Sequence, residues 1–398
     1  MRVALVHPRA ALLGGVERQI HDLGVRLADA GHEVHWICAT RDEKLDARIR
    51  CHRVLEPPGV LRAARVWVFD RLARRALARL GPFDVVHGFG KTSRQDVYRD
   101  GSGCLADFQA YAFEGQGSGW LAALRRRSPQ AIAAARIERE RYRPGSCRFV
   151  LPISALVREQ ILRRYPLSPE RVRVLHPAVD TARFSPLLAP ASRVAMRAEL
   201  GLPAAAPLLA FVGSDFRRKG LPALLAALRL LPGAHALVLG ADRPARMRAG
   251  REFAGELGVG GRVHFAGMRP DPERWLAAAD CLVFPSLFDA FGNAVLEAMA
   301  SGLPVVVSRR AGSAEVVIPG RTGAIVDAPE DAATLAAAIR PLLLDPVLRA
   351  EAGRLARREA EKHGWEPQLE SVLAIYREVV EEKRREAALT RSGSGGDR

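Results

Sequence analysis

The chain has 398 residues, 48% of them hydrophobic and 26% charged, which is enough for two domains that each bury a core. Its net charge of +16 is uneven, because residues 1–190 hold 32 Lys and Arg against 19 Asp and Glu while the remainder holds 28 against 25. No apolar run approaches the roughly 18 residues of a membrane span, and no zinc knuckle, helix-turn-helix pattern or RNP-like strand occurs, which excludes a helical membrane protein and the common nucleic-acid modules.

The first residues read as a buried strand and its loop rather than a secretory leader, since no apolar h-region precedes a cleavage site. Arg2 to His7 alternates as a strand, a loop runs to Gly14-Gly15, and an amphipathic helix from Val16 carries Ile20, Leu23 and Leu27 to a stop at Gly31. Val34 to Cys38 is the next strand. This order opens a doubly wound sheet, whose ligands bind beyond the carboxyl ends of the strands. At that edge Gly14 and Gly15 let backbone approach a phosphate closely, although two adjacent glycines are a weak signal alone.

A basic helix follows from about Leu61 to Leu80, and Phe83 to His87 is a strand that ends near the same edge. A lone histidine there is either a core residue or a ligand contact. GFGKTSRQDVYRDGSGC, residues 88–104, is too polar and glycine-rich to read as a core element and too specific to be a random linker. Phe108, Tyr111, Phe113 and Trp120 precede Arg125-Arg126-Arg127, a combination that suits a membrane interface or, equally, a surface helix pair with aromatic packing. Val150 to Ser154 opens a further strand-to-helix step, and Arg171 to Leu175 reads as another strand.

Pro186 to Pro207 holds a short helix between proline-rich flanks and leads into the second domain. Leu208 to Val212 is that domain's first strand, and GSDFRRKG runs from it into a helix. Positive charge beside glycine suits an anion that gathers charge as it leaves; Arg218 and Lys219 supply it, the alternative being a solvated turn. Ala236 to Gly240 and Val263 to Gly267 are strands, with Met268 and Arg269 beyond the second. Asp271-Pro272-Glu273 is the nearest approach to a DxD metal motif, and no true DxD exists in the chain.

Residues 285–307, PSLFDAFGNAVLEAMASGLPVVV, put Asp289 in a loop, Phe291-Gly292-Asn293 at a helix start and Glu297 one turn in, before Gly302 and Pro304 end the helix. A helix N-terminus offers unpaired N–H groups and a partial positive charge, so a diphosphate fits on the amides of Gly292, Asn293, Ala294 and Val295. Asp289 and Glu297 would then flank that anion, each able to accept from hydroxyls. Taken singly, Asp289 reads as a loop residue and Glu297 as an exposed helix position; the set has the layout of a nucleotide sugar.

Two acids separated by seven residues around a Gly-Asn helix entry resemble the Glu-x7-Glu motif of the retaining glycosyltransferases of family 4, with Asp289 at the first position. GFGKTSRQDVYRDGSGC and VGSDFRRKG together resemble the lipopolysaccharide core glucosyltransferase I group of that family. The resemblance implies an α/β chain of the GT-B fold, two Rossmann-like doubly wound parallel-sheet domains facing across a cleft. Residues 1–190 would bind the acceptor and 191–366 the nucleotide sugar, with a helix over 367–385 crossing back onto the first domain and a disordered tail over 386–398.

The same resemblance implies the roles. Gly14 and Gly15, in GGVER, would close over the donor diphosphate, and Gly213 would lie beside it. Arg218 and Lys219 would bind the diphosphate, and backbone at Met268 would meet the base. Asp289 would orient the sugar and Glu297 the ribose, next to Phe291 and Gly292. Glu17, Arg18, Lys91 and Arg94 would face the acceptor. His87 and Asp100 are the candidates beside the reacting sugar; relatives carry an acid near the position of Ser102, two residues later than Asp100.

The activity implied is transfer of glucose from UDP-glucose to a lipid-core heptose, with retention, without a protein nucleophile, and with no cofactor and no metal. Acidic lipid, a phosphorylated glycolipid acceptor or plain solvent each account for the basic first half, and no nucleic acid is expected. The five cysteines, Cys38, Cys51, Cys104, Cys147 and Cys281, read as reduced thiols of a cytoplasmic protein held at the inner face of the inner membrane. Two other readings remain open: a sugar-nucleotide 2-epimerase, which needs acid and base groups such as His87 and Asp100, and a membrane-docking protein with a vestigial site.

Overall fold

The computed structural model describes residues 1–12, 14–56, 64–113, 128–203, 205–240 and 243–393. The chain divides into two compact units, Met1–His176 with Glu366–Arg398, and Pro177–Trp365. The boundary expected at residue 190 therefore lies inside the second unit, and the last helix belongs to the first.

In the first unit the strands are β1 (Arg2–Val6), β2 (Arg9–Ala10), β3 (Glu33–Cys38), β4 (Thr40–Arg41), β5 (Ile49–Arg53), β6 (Val85–Gly88), β7 (Val97–Asp100) and β8 (Phe149–Pro152). Six of them form a parallel sheet in the order β5-β3-β1-β6-β7-β8. Val3, Ala4, Leu5 and Val6 of β1 are all buried, as a central parallel strand requires, and Leu5 pairs with Trp36 on one side and His87 on the other. The helix Arg65–Leu80 lays Phe69, Ala73 and Ala76 on Val6, Ile37 and Ala39.

The final helix, Trp365–Gly393, buries Val372, Ile375, Tyr376 and Val379. Charge reinforces it: Arg173 donates to Glu378 at 2.6 Å and 2.9 Å, and Arg148 to Glu386 at 2.8 Å and 2.5 Å.

The second unit contains β9 (Leu208–Val212), β10 (His235–Leu239), β11 (Val263–Gly267), β12 (Cys281–Phe284), β13 (Val305–Ser308) and β14 (Gly323–Val326). They form a parallel sheet in the order β11-β10-β9-β12-β13-β14. Phe211, Val238, Val283 and Val306 from the sheet pack with Leu224, Leu228, Leu335 and Ile339 from helices on one face. No helix among the described residues is long and apolar enough to cross a membrane.

Four expectations need correction. The segment after β6 contains a core element after all: β7 is buried along its length because its polar residues carry internal partners, described below. Arg171 to Leu175 is not a strand; Pro169–Arg171 is a 3-10 turn, and a single bridge joins Val172 to Val150. Residues 386–393, expected to be disordered, continue the final helix. The basic helix begins at Arg65 rather than Leu61, with 61–63 outside the described residues. Trp120, Arg125, Arg126 and Arg127 also lie outside them, as do the side chains of Tyr111 and Phe113.

Candidate active site

In each unit the first strand is central and the later strands fill in on both sides of it, so each sheet has a topological switch point. In the second unit this falls between β9 and β12. The loop after β9 carries Arg218 and Lys219; the loop after β12 carries Asp289. They touch at Gly220, where φ is +82° and a Cβ would stand 2.0 Å from the carbonyl oxygen of Pro285, so only glycine permits the approach. Leu287 N–H then donates to the Arg218 carbonyl at 2.8 Å, fixing one loop on the other.

The two loops deliver one charge cluster. Arg218 Nη1 donates to Asp289 Oδ2 at 2.9 Å and to the Phe288 carbonyl at 2.8 Å. Lys219 Nζ donates to the same Oδ2 and lies 4.6 Å from the centre of the Phe284 ring. Phe291 N–H donates to Asp289 Oδ1 at 3.3 Å. Burial opposes ionisation of Asp289, but Lys219 and Arg218 outweigh it and hold the carboxyl below its usual range. Burial pushes the Lys219 ammonium down, and Asp289 pulls it partly back. The side chains of Arg218 and Lys219 keep 23% and 15% of their surface, which leaves a cationic face for an anion to meet.

Beside the cluster, Gly292 (φ +98°) caps the helix Asn293–Ala300. Asn293 and Glu297 are the residues of that helix that are not buried, and at i and i+4 they share a face. Asn293 and Ala294 are the first two residues of the helix, where amides have no acceptor within the helix. The Val295 amide is not, which corrects the expectation for it: its N–H donates to the Gly292 carbonyl at 3.0 Å.

Along the same edge the strands β9, β10 and β11 end in Gly213, Gly240 and Gly267. Gly240 N–H donates to Gly267 O at 2.8 Å, and Gly213 N–H to Leu239 O at 2.9 Å. Gly213 gives Lys219 its path, since a Cβ there would stand 2.9 Å from Lys219 Cγ. Met268, just beyond β11, is 57% exposed on this row. The sequence reading has Gly240 and Gly267 only as strand ends and gives them no place at the site, although Val-Gly, Leu-Gly and Ala-Gly at successive strand ends were the signal for them. The carboxylates nearest to a DxD motif are committed elsewhere, Glu273 to Arg183 at 2.7 Å and Asp271 to Arg274 at 3.5 Å.

In the first unit the switch point falls between β1 and β6, and a pocket of about 770 Å³ opens there. His7 comes from the loop after β1 and Arg9 from β2, Phe89 and Lys91 from the loop after β6, and Glu138 and Arg141 from the helix Pro129–Arg141. Arg141 is a strut: Nε donates to Thr92 O at 2.8 Å, Nη2 to Gly90 O at 3.1 Å and Nη1 to Tyr98 Oη at 2.6 Å. Glu138 accepts from Leu105 N–H at 2.9 Å and Tyr165 Oη at 2.6 Å, and burial raises its carboxyl. Lys91 has no ion pair among the described residues, so it is the pocket's available cation.

Other predicted residues of this unit fall differently. Gly14 (φ +110°) and Gly15 are exposed at the start of the first helix. Glu17 is buried, folds back over Gly14 and pairs with Arg9 at 3.2 Å, so it orders the loop instead of facing a ligand. Arg18 and Arg94 are exposed, and neither lines the pocket.

His87 is wholly enclosed: Nδ1 meets Tyr376 Oη at 2.7 Å, the ring stacks on Phe89, and burial, with Arg99 beside it, holds the imidazole well below its usual range. It belongs to the core. Asp100 is also internal, accepting from Ser102 N–H at 3.0 Å, Gly103 N–H at 2.9 Å and Tyr142 Oη at 2.5 Å. Both side chains are enclosed within the first unit and face no open space.

Comparison with known proteins bears on the family and the fold. Residues 206–345 match the family model for glycosyl transferases group 1, and residues 13–93 that for glycosyltransferase family 4. The chain is 29% identical over 360 residues, 87% of its length and 91% of the relative's, to the lipopolysaccharide glucosyltransferase WaaG of Escherichia coli (strain K12). It is 32% identical over 348 residues, 85% of each chain, to a probable transglycosylase of Burkholderia thailandensis. A D-inositol 3-phosphate glycosyltransferase of Acidothermus cellulolyticus is 36% identical, but over 56% of this chain and 52% of that one. A crystal structure of WaaG superposes with a TM-score of 0.81 at 27% identity, covering 94% of this chain and 99% of that one. The chain belongs to the glycosyltransferases of family 4 and has the GT-B fold.

Proposed function

We propose that the protein transfers glucose from UDP-glucose to a sugar of a lipopolysaccharide core, or a similar glycolipid, with retention of configuration and without a metal ion. The observation that carries this reading is the Asp289 carboxylate held between Arg218 and Lys219 beside the Asn293–Glu297 face. The diphosphate takes the cationic face of Arg218 and Lys219 and the amides of Asn293 and Ala294; Glu297 accepts from the ribose and Asp289 from the sugar. The base lies along the glycine row at Met268.

The acceptor hydroxyl attacks the anomeric carbon from the side of the leaving group. The bond from that carbon to the diphosphate oxygen breaks as the new glycosidic bond forms, and the hydroxyl proton passes to the departing diphosphate. Arg218 and Lys219 stabilise the charge gathering on it, the work a divalent ion does in other transferases. The acceptor binds in the first unit's pocket, with Lys91 meeting its anionic groups and Glu138 its hydroxyls. The 2-epimerase alternative is less favoured, because the two groups it was read to use, His87 and Asp100, are both engaged inside the first unit. The protein works in the cytoplasm at the inner face of the inner membrane.

Thermal unfolding with UDP, UDP-glucose, UDP-galactose, UDP-N-acetylglucosamine, GDP-mannose and ADP-heptose tests the donor. UDP-glucose at a hundred times its dissociation constant adds about 2.7 kcal/mol of stability. A shift with GDP-mannose or ADP-heptose instead would replace the donor, and no shift with any of them would remove the activity.

A further inference from the structure

The three helices that wall the first unit's pocket, Arg65–Leu80, Leu105–Phe113 and Pro129–Arg141, each carry a large apolar residue in water: Trp67 is 47% exposed, Phe108 39% and Ile132 55%. Their charge is one-sided. On Arg65–Leu80 the exposed residues Trp67, Arg71, Arg74, Arg75 and Ala78 follow a helical repeat along one face, and Arg79 stands at its edge. The opposite face supplies Phe69, Ala73 and Ala76 to the core. Arg71, Arg74, Arg75 and Arg79 have no ion-pair partner among the described residues, and the Arg71 guanidinium lies 5.5 Å from the centre of the Trp67 ring.

Acids on these helices do not offset that charge. Asp70 is buried and accepts from Ser93 N–H at 2.7 Å and Ser93 Oγ at 2.7 Å; Asp107 is taken by Arg163 and Arg164; Glu138 is turned inward; Glu140 pairs with Arg136 at 3.4 Å.

We propose that this face is a docking surface for an anionic lipid bilayer, with the stripe of Trp67, Arg71, Arg74 and Arg75 as its centre. It deepens the membrane contact of the reading above by assigning it to particular residues. Four unpaired arginines match a sheet of lipid phosphates, and Trp67 suits the headgroup layer, where an indole keeps its apolar body in and its N–H wet. A nucleic acid would also meet the arginines, but the exposed Ile132 and Phe108 on the other two helices that wall the pocket favour a partner with an apolar interior. Docking there brings the walls of the acceptor pocket to the surface from which a lipid-linked sugar projects.

The test is co-sedimentation of the full chain with vesicles of phosphatidylcholine alone and with roughly one-third phosphatidylglycerol, at low salt and at about 0.5 M salt. Binding is expected to need the anionic lipid and to weaken in salt. At about fivefold per arginine, the triple substitution Arg71→Gln, Arg74→Gln, Arg75→Gln weakens it roughly a hundredfold. Trp67→Ala weakens it about fivefold and Trp67→Phe restores most of that. All these side chains are exposed, and an unchanged thermal shift with UDP-glucose checks that each variant is folded and keeps its donor site.

If the wild type binds anionic vesicles and the triple variant binds them equally well, the assigned surface is wrong while the membrane contact stands. If the wild type ignores anionic vesicles, or binds a short DNA duplex more tightly at the same salt, the docking proposal and the membrane contact both fall, and the sugar-nucleotide reading is untouched.

Discussion

Asp289 has two duties that compete. Its Oδ2 is shared by Arg218 and Lys219, and its backbone N–H donates to the Arg310 carbonyl at 3.2 Å, so both the charge and the position of the carboxylate are set before any ligand arrives. On the proposed reading, an incoming diphosphate would take the exposed side of the same cations. Asp289→Ala leaves those cations without a carboxylate, so affinity for UDP is expected to hold or rise, while preference between UDP-glucose and UDP-galactose falls about tenfold. Glu297→Ala is expected to weaken UDP itself by about tenfold through one lost charge-assisted hydrogen bond. Titration calorimetry with UDP and the two sugar nucleotides separates these; a Glu297→Ala protein that binds UDP like wild type removes the ribose assignment.

At the scale of elements, the site is made by strand ends rather than by any one motif. Gly240 has φ +105°, and a Cβ on it would stand 2.6 Å from the Gly213 carbonyl, so Gly240→Ala must push the ends of β9 and β10 apart. A loss of about 2 kcal/mol in urea unfolding is expected, with weaker UDP-glucose binding because Gly213 also supports Lys219. Full stability in this variant would show that the row tolerates a side chain. Much of this edge was legible from the sequence, because strand, glycine turn and helix are local patterns and Arg218, Lys219 and Asp289 sit within them. What escaped depended on distant partners. β7 looked too polar to be buried until Asp100 found Tyr142, 42 residues on, and Arg99 found the His176 carbonyl, 77 residues on. His87 looked like a site residue because its partner, Tyr376, is 289 residues away.

For the whole molecule, those internal partners govern behaviour in acid. An unfolded chain takes up a proton at each histidine near 6.5, whereas enclosed His87 stays neutral to well below that, so under pH 6.5 the unfolded state binds one more proton there. Stability contributed in this way is intact above pH 6.5 and falls as pH drops, by about 1.4 kcal/mol per unit for each such group. Burial also lowers His7, His32, His52, His235 and His264, which steepens the same limb. His87→Gln is expected to flatten it by one proton's worth between pH 6 and 5 in urea unfolding, and an unchanged slope would mean that the native state admits that proton.

The order of assembly follows from where the chain leaves and re-enters its first unit. That unit lacks its final helix, with the Tyr376 that meets His87, until residues 177–365 have been made. On a ribosome adding about 5–20 residues per second, the emerging first unit waits roughly ten to forty seconds for the segment that covers β6. The second unit is contiguous and can close as soon as it emerges. Translation therefore delivers the later-made unit complete first, and the amino-terminal one is the part a nascent-chain chaperone would need to shield.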